Sequence, residues 1–555
     1  MGKEVPPSPE ALSPGAGADL EGAGSFIRNS ALMSVGTALS RLTGFLRVAA
    51  MAYALGVTES RLADAYNVAN TTPNIIYDLA IGQILSSLFI PVFVQRLQGA
   101  GRDEAWHTAR SVLSIATIAL GTMMLAGILL SGPIIHLYTF RAHGPQVEAE
   151  RRLASFFLKW FMPQIVFYGL GAGVATGLLN AHRRFGAPMF APIVNNLVAI
   201  ATFFTFAALP GPSGTIAITN LQRSVLAIGT TLGVLGMTVV LWPALRRIGF
   251  GWRWTLDLKD AGVRQIARLA GWAFVYVIVN QLGLLVVIIL AASVQGGYTA
   301  YTSAFIFFQL PYAIFAVSIM TALLPSLASR WVAGDTERFR LQLTQGIRGT
   351  AFVVVPAAFG YLALARPIVR LLLQHGVMQA QSTELLSGVL ELFSIGLLSF
   401  CTFQLFLRAF YAMQDTRTPA LINVAAVGLN TAVNLVYFRY LKVEGLALGH
   451  ATAYTFAAIL AAFIIRRRLG GLEGRRLGAA LAQIGVAGIA TGSAAWLASR
   501  WLGQISGTAT LGPQLLQVGG GVVAGLGAFL TVALVFRLQE LSLIKQLLLG
   551  RVRRG

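Results

Sequence analysis

Long apolar runs are the feature that most limits what this chain can fold into. Fourteen runs, bounded by charges, Pro/Gly turns or polar clusters, are close to or above the roughly 20 residues that an α-helix needs to cross a bilayer. Hydrophobic residues form 56% of the 555 residues and charged residues 11%, against about 25% charged in a soluble domain. The sequence therefore predicts an all-α, polytopic membrane protein. The fourteen predicted helices cover residues 29–56, 62–95, 106–131, 153–181, 186–209, 222–245, 264–294, 298–329, 341–365, 381–413, 418–438, 445–466, 477–500 and 514–537.

The net charge of +21 reflects the orientation of the chain in the membrane and not a nucleic-acid partner, because the basic residues lie between the apolar runs. Most Lys and Arg residues fall in the two tails and in the loops that follow even-numbered helices, and the clearest cluster lies at 466–476. Lys and Arg concentrate in the cytoplasmic loops of membrane proteins. We therefore expect both termini to be cytoplasmic and the number of spans to be even.

Three sequence matches recur at a nearly constant offset. Pro91 recurs at Pro325 and Pro133 at Pro367, each 234 residues later, and the segment 180–188 recurs at 411–419. We therefore expect six helices to repeat as six, in two lobes that face a central cavity, a plan typical of alternating-access transporters. The predicted divisions are a disordered cytoplasmic tail (1–26), an N-lobe of helices 1–6 (27–246), a C-lobe of helices 7–12 (262–467), helices 13 and 14 (477–538) and a basic cytoplasmic tail (539–555).

Helix 2 carries a stripe of polar residues. Asp64, Asn67, Thr71, Asn74 and Asp78 follow one another at steps of three and four residues, which places them on one helical face. Unsatisfied polar groups are costly in lipid, so this face must line a cavity or a polar seam between helices. Two carboxylates are more than a seam requires, and we interpret the stripe as a substrate-binding wall.

Helix 1 contributes two arginines within its apolar run. Arg41 and Arg47 lie too deep for both to reach one membrane surface easily. A guanidinium is permanently charged and binds phosphate through paired hydrogen bonds, so the pair is suited to a diphosphate headgroup. Asp64 and Asp78 are predicted to pair with these arginines when substrate is absent, because a buried charge is costly without a partner.

The same region resembles a known family. The segments Ser40–Arg47, Asp64–Tyr66, Pro73–Asn74 and Phe89–Pro91 resemble the opening of the MviN/MurJ family of lipid II flippases, within the multidrug/oligosaccharidyl-lipid/polysaccharide exporter superfamily. The resemblance implies a six-plus-six-plus-two helix plan in the bacterial inner membrane. It also implies a transporter that moves the undecaprenyl-diphosphate-linked peptidoglycan precursor to the outer leaflet for cell-wall synthesis. In such a protein the substrate and the membrane lipids are the partners.

The resemblance also predicts site residues. Arg41, Arg47 and Asp64 match positions that line the family's central cavity, and the last two helices match a groove for the polyprenyl tail. The chain departs from the family pattern at Tyr77 and Asp78, where a basic pair is usual. It also has Ile306 where a cavity arginine is expected. These departures bear on the identity of the headgroup more than on the fold.

A sodium site is a further implication of the resemblance. The family places such a site among helices 7, 11 and 12, where Asn280, Asn430, Asn434 and Thr452 offer oxygen ligands. None of the four carries a charge, so a polar seam between helices is the alternative. We expect no other cofactor, and either a sodium gradient or the membrane potential as the energy source.

The sequence contains no enzyme signature. Its six histidines are scattered without metal-ligand spacing, its single cysteine excludes a disulfide framework, and no nucleotide-binding fingerprint occurs. Besides lipid II flipping, two functions stay open. One is export of cationic drugs or of another lipid-linked oligosaccharide, with Asp64 and Asp78 exchanging protons. The other is a membrane scaffold that transports nothing.

Overall fold

The computed structural model describes residues 36–79, 89–99, 101–182 and 184–541, and every regular element in these ranges is a helix. The predicted tail 1–26 and nearly all of the tail 539–555 lie outside the described residues. Each of the fourteen predicted segments contains helix. The helices are α1 (36–55), α2 (Leu62–Tyr77), α3 (Ile90–Gly99), α4 (Arg102–Leu129), α5 (Ser131–Thr139), α6 (Val147–Phe161), α7 (Gln164–Tyr168), α8 (Thr176–Ala181), α9 (Gly186–Ala208), α10 (Asn220–Val239), α11 (Trp242–Arg247), α12 (Ala261–Ala291), α13 (Gly297–Pro311), α14 (Val317–Val332), α15 (Thr336–Leu373), α16 (Ala380–Ile395), α17 (Leu397–Ala412), α18 (Arg417–Arg468), α19 (Gly474–Ser506) and α20 (Leu511–Val535).

The length and composition of these helices fit a polytopic membrane protein. Within the described residues, nine helices are long and apolar enough to cross a bilayer, or ten if α16 and α17, which meet at 49°, form one span. Their outward faces are apolar: on α20, Leu515, Val523 and Leu534 are all more than half exposed. So continuous an apolar surface is unfavourable in water, whereas lipid chains solvate it. The predicted fold class is therefore confirmed.

α18 is a pair of helices. Lys442 has φ 50° and ψ −128°, a backbone conformation that no helix accommodates, so the chain turns there into a second helix. The break lies between the predicted helices 418–438 and 445–466. Across the turn, Gly445 lies so close to the Tyr437 carbonyl oxygen that a Cβ would be 2.6 Å from it.

The helices pack so that distant parts of the sequence share one core. α2 packs against α6 and α13, α9 against α10, and α15 against α16, α17, α19 and α20. One continuous cluster of buried side chains joins residues 48–75 to residues 287–327 and 339–472. The polar residues of α1 and α2 are thereby placed between the first and second halves of the chain.

One local distortion recurs at the offset of the sequence repeat. The backbone is π-helical at Asp78 and Leu79, at the end of α2, and again over Tyr312–Ala316, between α13 and α14. The two distortions begin 234 residues apart, as do Pro91 and Pro325. This recurrence supports the predicted repeat, while the division into two lobes with the stated boundaries stays a prediction.

Candidate substrate cavity

A polar cavity of about 270 Å³ lies between the two halves of the chain. Residues of α1, α2, α9, α10 and α13 contribute to its wall, together with Tyr168 at the end of α7. The side chains that line it are those of Arg47, Val48, Met51, Tyr66, Asn67, Asn70, Thr71, Asn74, Tyr168, Asn195, Ala199, Phe203, Thr230, Val234, Thr302, Ser303 and Ile306.

Arg47 is the one charged side chain among these lining residues. Its guanidinium interacts electrostatically with the hydroxyls of Tyr66 and Tyr168, and the Tyr66 hydroxyl lies 2.9 Å from Thr230 Oγ1. The other described lining residues are neutral, so this cation has no permanent counter-ion among them. The wall is thus arranged to accept an anionic group with polar substituents.

Three residues of the predicted stripe lie on this wall. Asn67 Nδ2 donates to Thr299 Oγ1 at 3.1 Å, and the Tyr298 hydroxyl donates to Thr71 Oγ1 at 2.9 Å. Asn74 Nδ2 donates to the Asn70 carbonyl oxygen at 3.0 Å. The first two contacts join α2 to α13, so the same side chains that line the cavity also hold the two halves together.

Arg41 lies at the exposed edge of this region. Its Nη1 donates to Gln309 Oε1 at 3.4 Å, and both Arg41 and Arg408 lie within electrostatic range of the Tyr312 hydroxyl. We call these four residues the mouth. Sequence reasoning missed Arg408, although it is a single exposed arginine inside the apolar helix α17, the same signal that identified Arg41.

The structure corrects the predicted position of Asp64. This residue is fully buried and is not among the lining residues. Its Oδ2 accepts from the Gly296 amide at 2.7 Å, and its Oδ1 accepts from the amide and hydroxyl of Thr299 at 2.9 and 2.7 Å. Gly296 and Thr299 begin α13, so the carboxylate caps that helix from a different part of the chain. Packing of α13 against this end of α2 separates Asp64 from the cavity.

Asp78 is also placed differently from the prediction. It is exposed, accepts from Gln281 Nε2 at 3.3 Å and is absent from the lining set. Neither Asp64 nor Asp78 forms an ion pair with Arg41 or Arg47 in the described part of the chain, so the predicted pairing is wrong there. Ile306 does line the cavity, and the wall is apolar where the family resemblance led us to expect an arginine.

The far end of the cavity region is closed by a set of contacts that we call the latch, formed by residues 53–64 with 292–299 and 376–382. Glu59 Oε1 accepts from the Gln379 amide at 2.6 Å and from Ser382 Oγ at 2.8 Å. Ser382 Oγ also accepts from the Thr58 amide at 2.9 Å. Gln295 Nε2 donates to the Thr58 carbonyl oxygen at 2.7 Å. These bonds connect the α1–α2 turn to both later segments.

A buried ion pair braces the latch. Arg61 Nη1 lies 2.8 Å from Glu150 Oε2, with side chains 6% and 1% exposed, and also donates to the Ala292 carbonyl oxygen at 3.3 Å. Removing one partner of such a pair leaves an uncompensated buried charge. The pair therefore fixes the α1–α2 turn against α6 and the end of α12.

Two of the four predicted sodium ligands come together. Asn430 Oδ1 and Asn434 Oδ1 are buried and have no hydrogen-bond partner among the described residues. Both face Gly449, where a Cβ would collide with Asn434 Oδ1 and lie 3.3 Å from Asn430 Oδ1. By contrast, Asn280 Oδ1 accepts from Asn423 Nδ2 at 3.3 Å, and Thr452 Oγ1 donates to a carbonyl oxygen of its own helix. The two unpaired oxygens fit a cation, and the other two side chains are engaged elsewhere.

These features define a class of protein. A helical membrane protein with a polar cavity between its halves, closed at one end by a latch and edged by arginines at the other, has the architecture of an alternating-access transporter. A family model described as "Lipid II flippase MurJ" matches residues 51–511, and the chain belongs to this family. The family is one of transporters, so the chain is not an enzyme.

Relatives and solved structures agree with this assignment. A probable lipid II flippase MurJ of Rhizobium meliloti is 27% identical over 533 residues, covering 96% of this chain and 97% of the relative. The protein of the same description from Haemophilus influenzae is 28% identical over 493 residues, covering 83% and 90%. The inward closed conformation of lipid II flippase MurJ superposes with a TM-score of 0.74 at 20% identity, over 91% of this chain and 98% of that chain.

A second fold neighbour belongs to the wider superfamily. It is an inward-facing multidrug resistance MATE family transporter of the MOP superfamily, with a TM-score of 0.62 at 16% identity, over 79% of this chain and 99% of that chain. At such identities the solved structures show the fold alone.

Proposed function

We propose that this protein flips lipid II, the undecaprenyl-diphosphate-linked peptidoglycan precursor, from the cytoplasmic to the outer leaflet of the bacterial inner membrane for cell-wall synthesis. Membership of the flippase family supports the substrate class. The observation that carries the proposal in this chain is Arg47, the one charge on the described cavity wall, with Arg41 and Arg408 at the mouth.

The cavity chemistry suits the different parts of such a substrate. Arg47 would hold a phosphate of the diphosphate through paired N–H donors, and Asn67, Asn70 and Asn74 would hydrogen-bond to the neighbouring sugar. The polyprenyl tail would remain against the apolar faces of α15 and α19, where Phe359, Leu362 and Trp496 line a groove of about 520 Å³. A cavity of about 270 Å³ lies below the roughly 300–1,000 Å³ of common ligand sites, so the halves must separate further to admit the headgroup.

The experiment measures the appearance of labelled lipid II in the outer leaflet of vesicles that contain the purified protein. We expect Arg47→Ala to lower the initial rate at least tenfold and Arg47→Lys less, since a lysine keeps the charge but loses the paired geometry. Arg41→Ala and Arg408→Ala should each weaken uptake at low substrate concentration. The control is Arg338→Ala, at an exposed arginine of α15. Undiminished transport in an Arg41→Ala/Arg47→Ala variant would refute the headgroup role.

Export of cationic drugs is the competing function, because the MATE neighbour shares the fold. A carboxylate is the usual counter-charge for a cationic drug, and neither Asp64 nor Asp78 lies on the described cavity wall. The wall instead carries the cation Arg47, which repels such a cargo. Drug resistance that depends on Asp78 would favour export and contradict lipid II flipping as the main activity.

Sodium coupling is proposed on the two unpaired oxygens of Asn430 and Asn434. These two side chains would hold the ion, with water or backbone oxygens completing its shell. Replacing sodium by choline should then slow transport by the native protein and have no effect on an Asn430→Leu/Asn434→Leu variant. Equal slowing of both proteins would place sodium at another site, and if neither protein is slowed, the membrane potential is the energy source that our proposal retains.

A further inference from the structure

A second cavity, of about 460 Å³, lies between the C-terminal end of α15 and the N-terminal end of α20. Arg370, His375, Thr508, Leu511 and Gln514 are among its lining residues. It shares no residue with the cavity around Arg47. The transport scheme above gives it no role, so its chemistry requires a separate explanation.

Arg370 brings a positive charge to this cavity without a matching anion. The side chain is half-buried, and it forms no hydrogen bond or ion pair with any side chain in the described ranges. Its neighbour one helical turn earlier, Arg366, is paired with Glu384 at 2.6 Å. Arg370 therefore has a like charge nearby and no counter-ion, an arrangement that an incoming anion would stabilise.

The start of α20 adds a second attraction for an anion. At the start of α20 the amides of Leu511 and Gly512 have no partner within the helix, whereas Pro513 has no N–H and the Gln514 amide donates to the Thr510 carbonyl oxygen. The helix dipole places partial positive charge at this end. Thr510, the N-cap residue, makes no side-chain cap with these amides. Because α20 is 25 residues long, this is the end of a full helix and not of a single turn.

Gln514 supplies independent evidence for a ligand site. The residue is 8% exposed, its Nε2 donates to the Thr508 carbonyl oxygen at 3.0 Å, and its Oε1 has no partner among the described residues. The bond to Thr508 fixes the amide orientation, because the flipped amide would place two acceptors against each other. A buried acceptor of this kind requires a donor, which phosphate oxygens alone do not provide.

We propose that this cavity binds the phosphate-bearing headgroup of a membrane lipid that also carries a hydroxyl or amine. Arg370 and the two free amides at the start of α20 bind the phosphate, and Gln514 Oε1 accepts from the hydroxyl or amine. The lipid chains lie along α20, where Leu511 and Leu515 are 57% and 51% exposed. Such a lipid fixes α15 to α20 and goes beyond the proposed transport activity.

The test measures lipid binding to the purified full chain by thermal shift and by native mass spectrometry. The probes are short-chain phosphatidylglycerol, diacylglycerol of the same chain length, and glycerol 3-phosphate. We expect phosphatidylglycerol to raise the melting temperature and diacylglycerol to have little effect. Arg370→Gln and Gln514→Leu should each weaken phosphatidylglycerol binding about tenfold, and Arg366→Gln, at the paired arginine, should leave it unchanged.

Three outcomes would overturn the proposal. Equal binding of phosphatidylglycerol to the Arg370→Gln variant and to the native protein would show that Arg370 does not bind the phosphate. Equal binding of diacylglycerol would show that the chains alone are recognised. If glycerol 3-phosphate matched the lipid in affinity, the site would bind a free phosphate ester and not a lipid. Lipid II transport by Arg370→Gln is measured in parallel, so that failure of this site is distinguished from failure of the proposed function.

Discussion

Asp64 shows how much one residue's role depends on a neighbouring helix. Its two oxygens take three hydrogen bonds from Gly296 and Thr299, so it stabilises the start of α13 without touching the cavity. Asp64→Asn keeps the shape but turns an amide donor toward these donors, and a hydrogen bond to a charged group contributes about 1.5–3 kcal/mol. We therefore expect this variant to lose about 2–4 kcal/mol of stability.

The measurement is thermal unfolding of the purified protein, with Asp78→Asn as the control, since among the described residues the exposed Asp78 side chain accepts one hydrogen bond, from Gln281 Nε2. The control should unfold at the same temperature as the native protein. If Asp64→Asn were as stable as the native protein but bound lipid II more weakly, the direct substrate contact predicted from the sequence would be correct and the capping role wrong.

The residues of the site were predictable in part. The spacing of three and four residues between polar positions correctly placed Asn67, Thr71 and Asn74 on one wall, because helical geometry fixes which side chains share a face. The same geometry does not say how far the cavity extends along that face. The ends of the stripe, Asp64 and Asp78, are placed by α13 and α12, which are more than 200 positions away in the sequence.

At the scale of elements, the latch is the part of the fold suited to opening and closing. It joins the α1–α2 turn to the start of α16 by short polar bonds, and separating its sides exposes polar groups that water can satisfy. Thr58 and Ser382 touch across it, with 2.7 Å between their hydroxyl oxygens. This contact offers a direct test of whether the latch must open.

We expect a Thr58→Cys/Ser382→Cys variant to form a disulfide under mild oxidation, because the hydroxyl oxygens that the sulfur atoms would replace lie 2.7 Å apart, close to the S–S bond length of about 2.0 Å. Oxidation should then stop lipid II transport, and a reductant should restore it. The single native cysteine, Cys401, is buried and does not compete. Each single variant serves as a control. Full transport by the oxidised double variant would show that the latch stays closed throughout the cycle.

Helix positions were predicted well, whereas helix distortions were not. Apolar length decides where a span lies, and it correctly located the break near Lys442. The 49° bend between α16 and α17 has another cause. At Gly396 a Cβ would lie 2.5 Å from Ala451 Cα, so the bend depends on the close approach of a helix that no local pattern reveals.

At the scale of the whole molecule, the structure assigns the latch and the start of α20 to one end. Gly376 lies against Tyr53 in the latch, and its neighbour His375 lines the same cavity as Thr508. The mouth, with Arg41 and Arg408, lies toward the other ends of α1 and α17. If the bias of Lys and Arg in the sequence sets the orientation as expected, the latch closes the cavity toward the outside. The mouth of the cavity then faces the cytoplasm.

This orientation can be measured with a membrane-impermeant maleimide. α19 has 33 residues and so spans about 50 Å, enough to place its two ends on opposite sides of a bilayer. Arg475→Cys lies at its start, beside a cluster of arginines, and Ala509→Cys lies just beyond its end; both positions are exposed. We expect Ala509→Cys to be labelled in intact spheroplasts and Arg475→Cys only after permeabilisation, since Lys and Arg are retained on the cytoplasmic side.

The native chain provides the background, because its buried Cys401 should remain unlabelled. The reversed labelling pattern would place the latch on the cytoplasmic side. The conformation described here would then be open toward the outside, and Arg47 would lie in a cavity that releases the headgroup and does not receive it. Which of the two cysteines is labelled in intact spheroplasts therefore decides whether the Arg47 cavity of this conformation receives the headgroup or releases it.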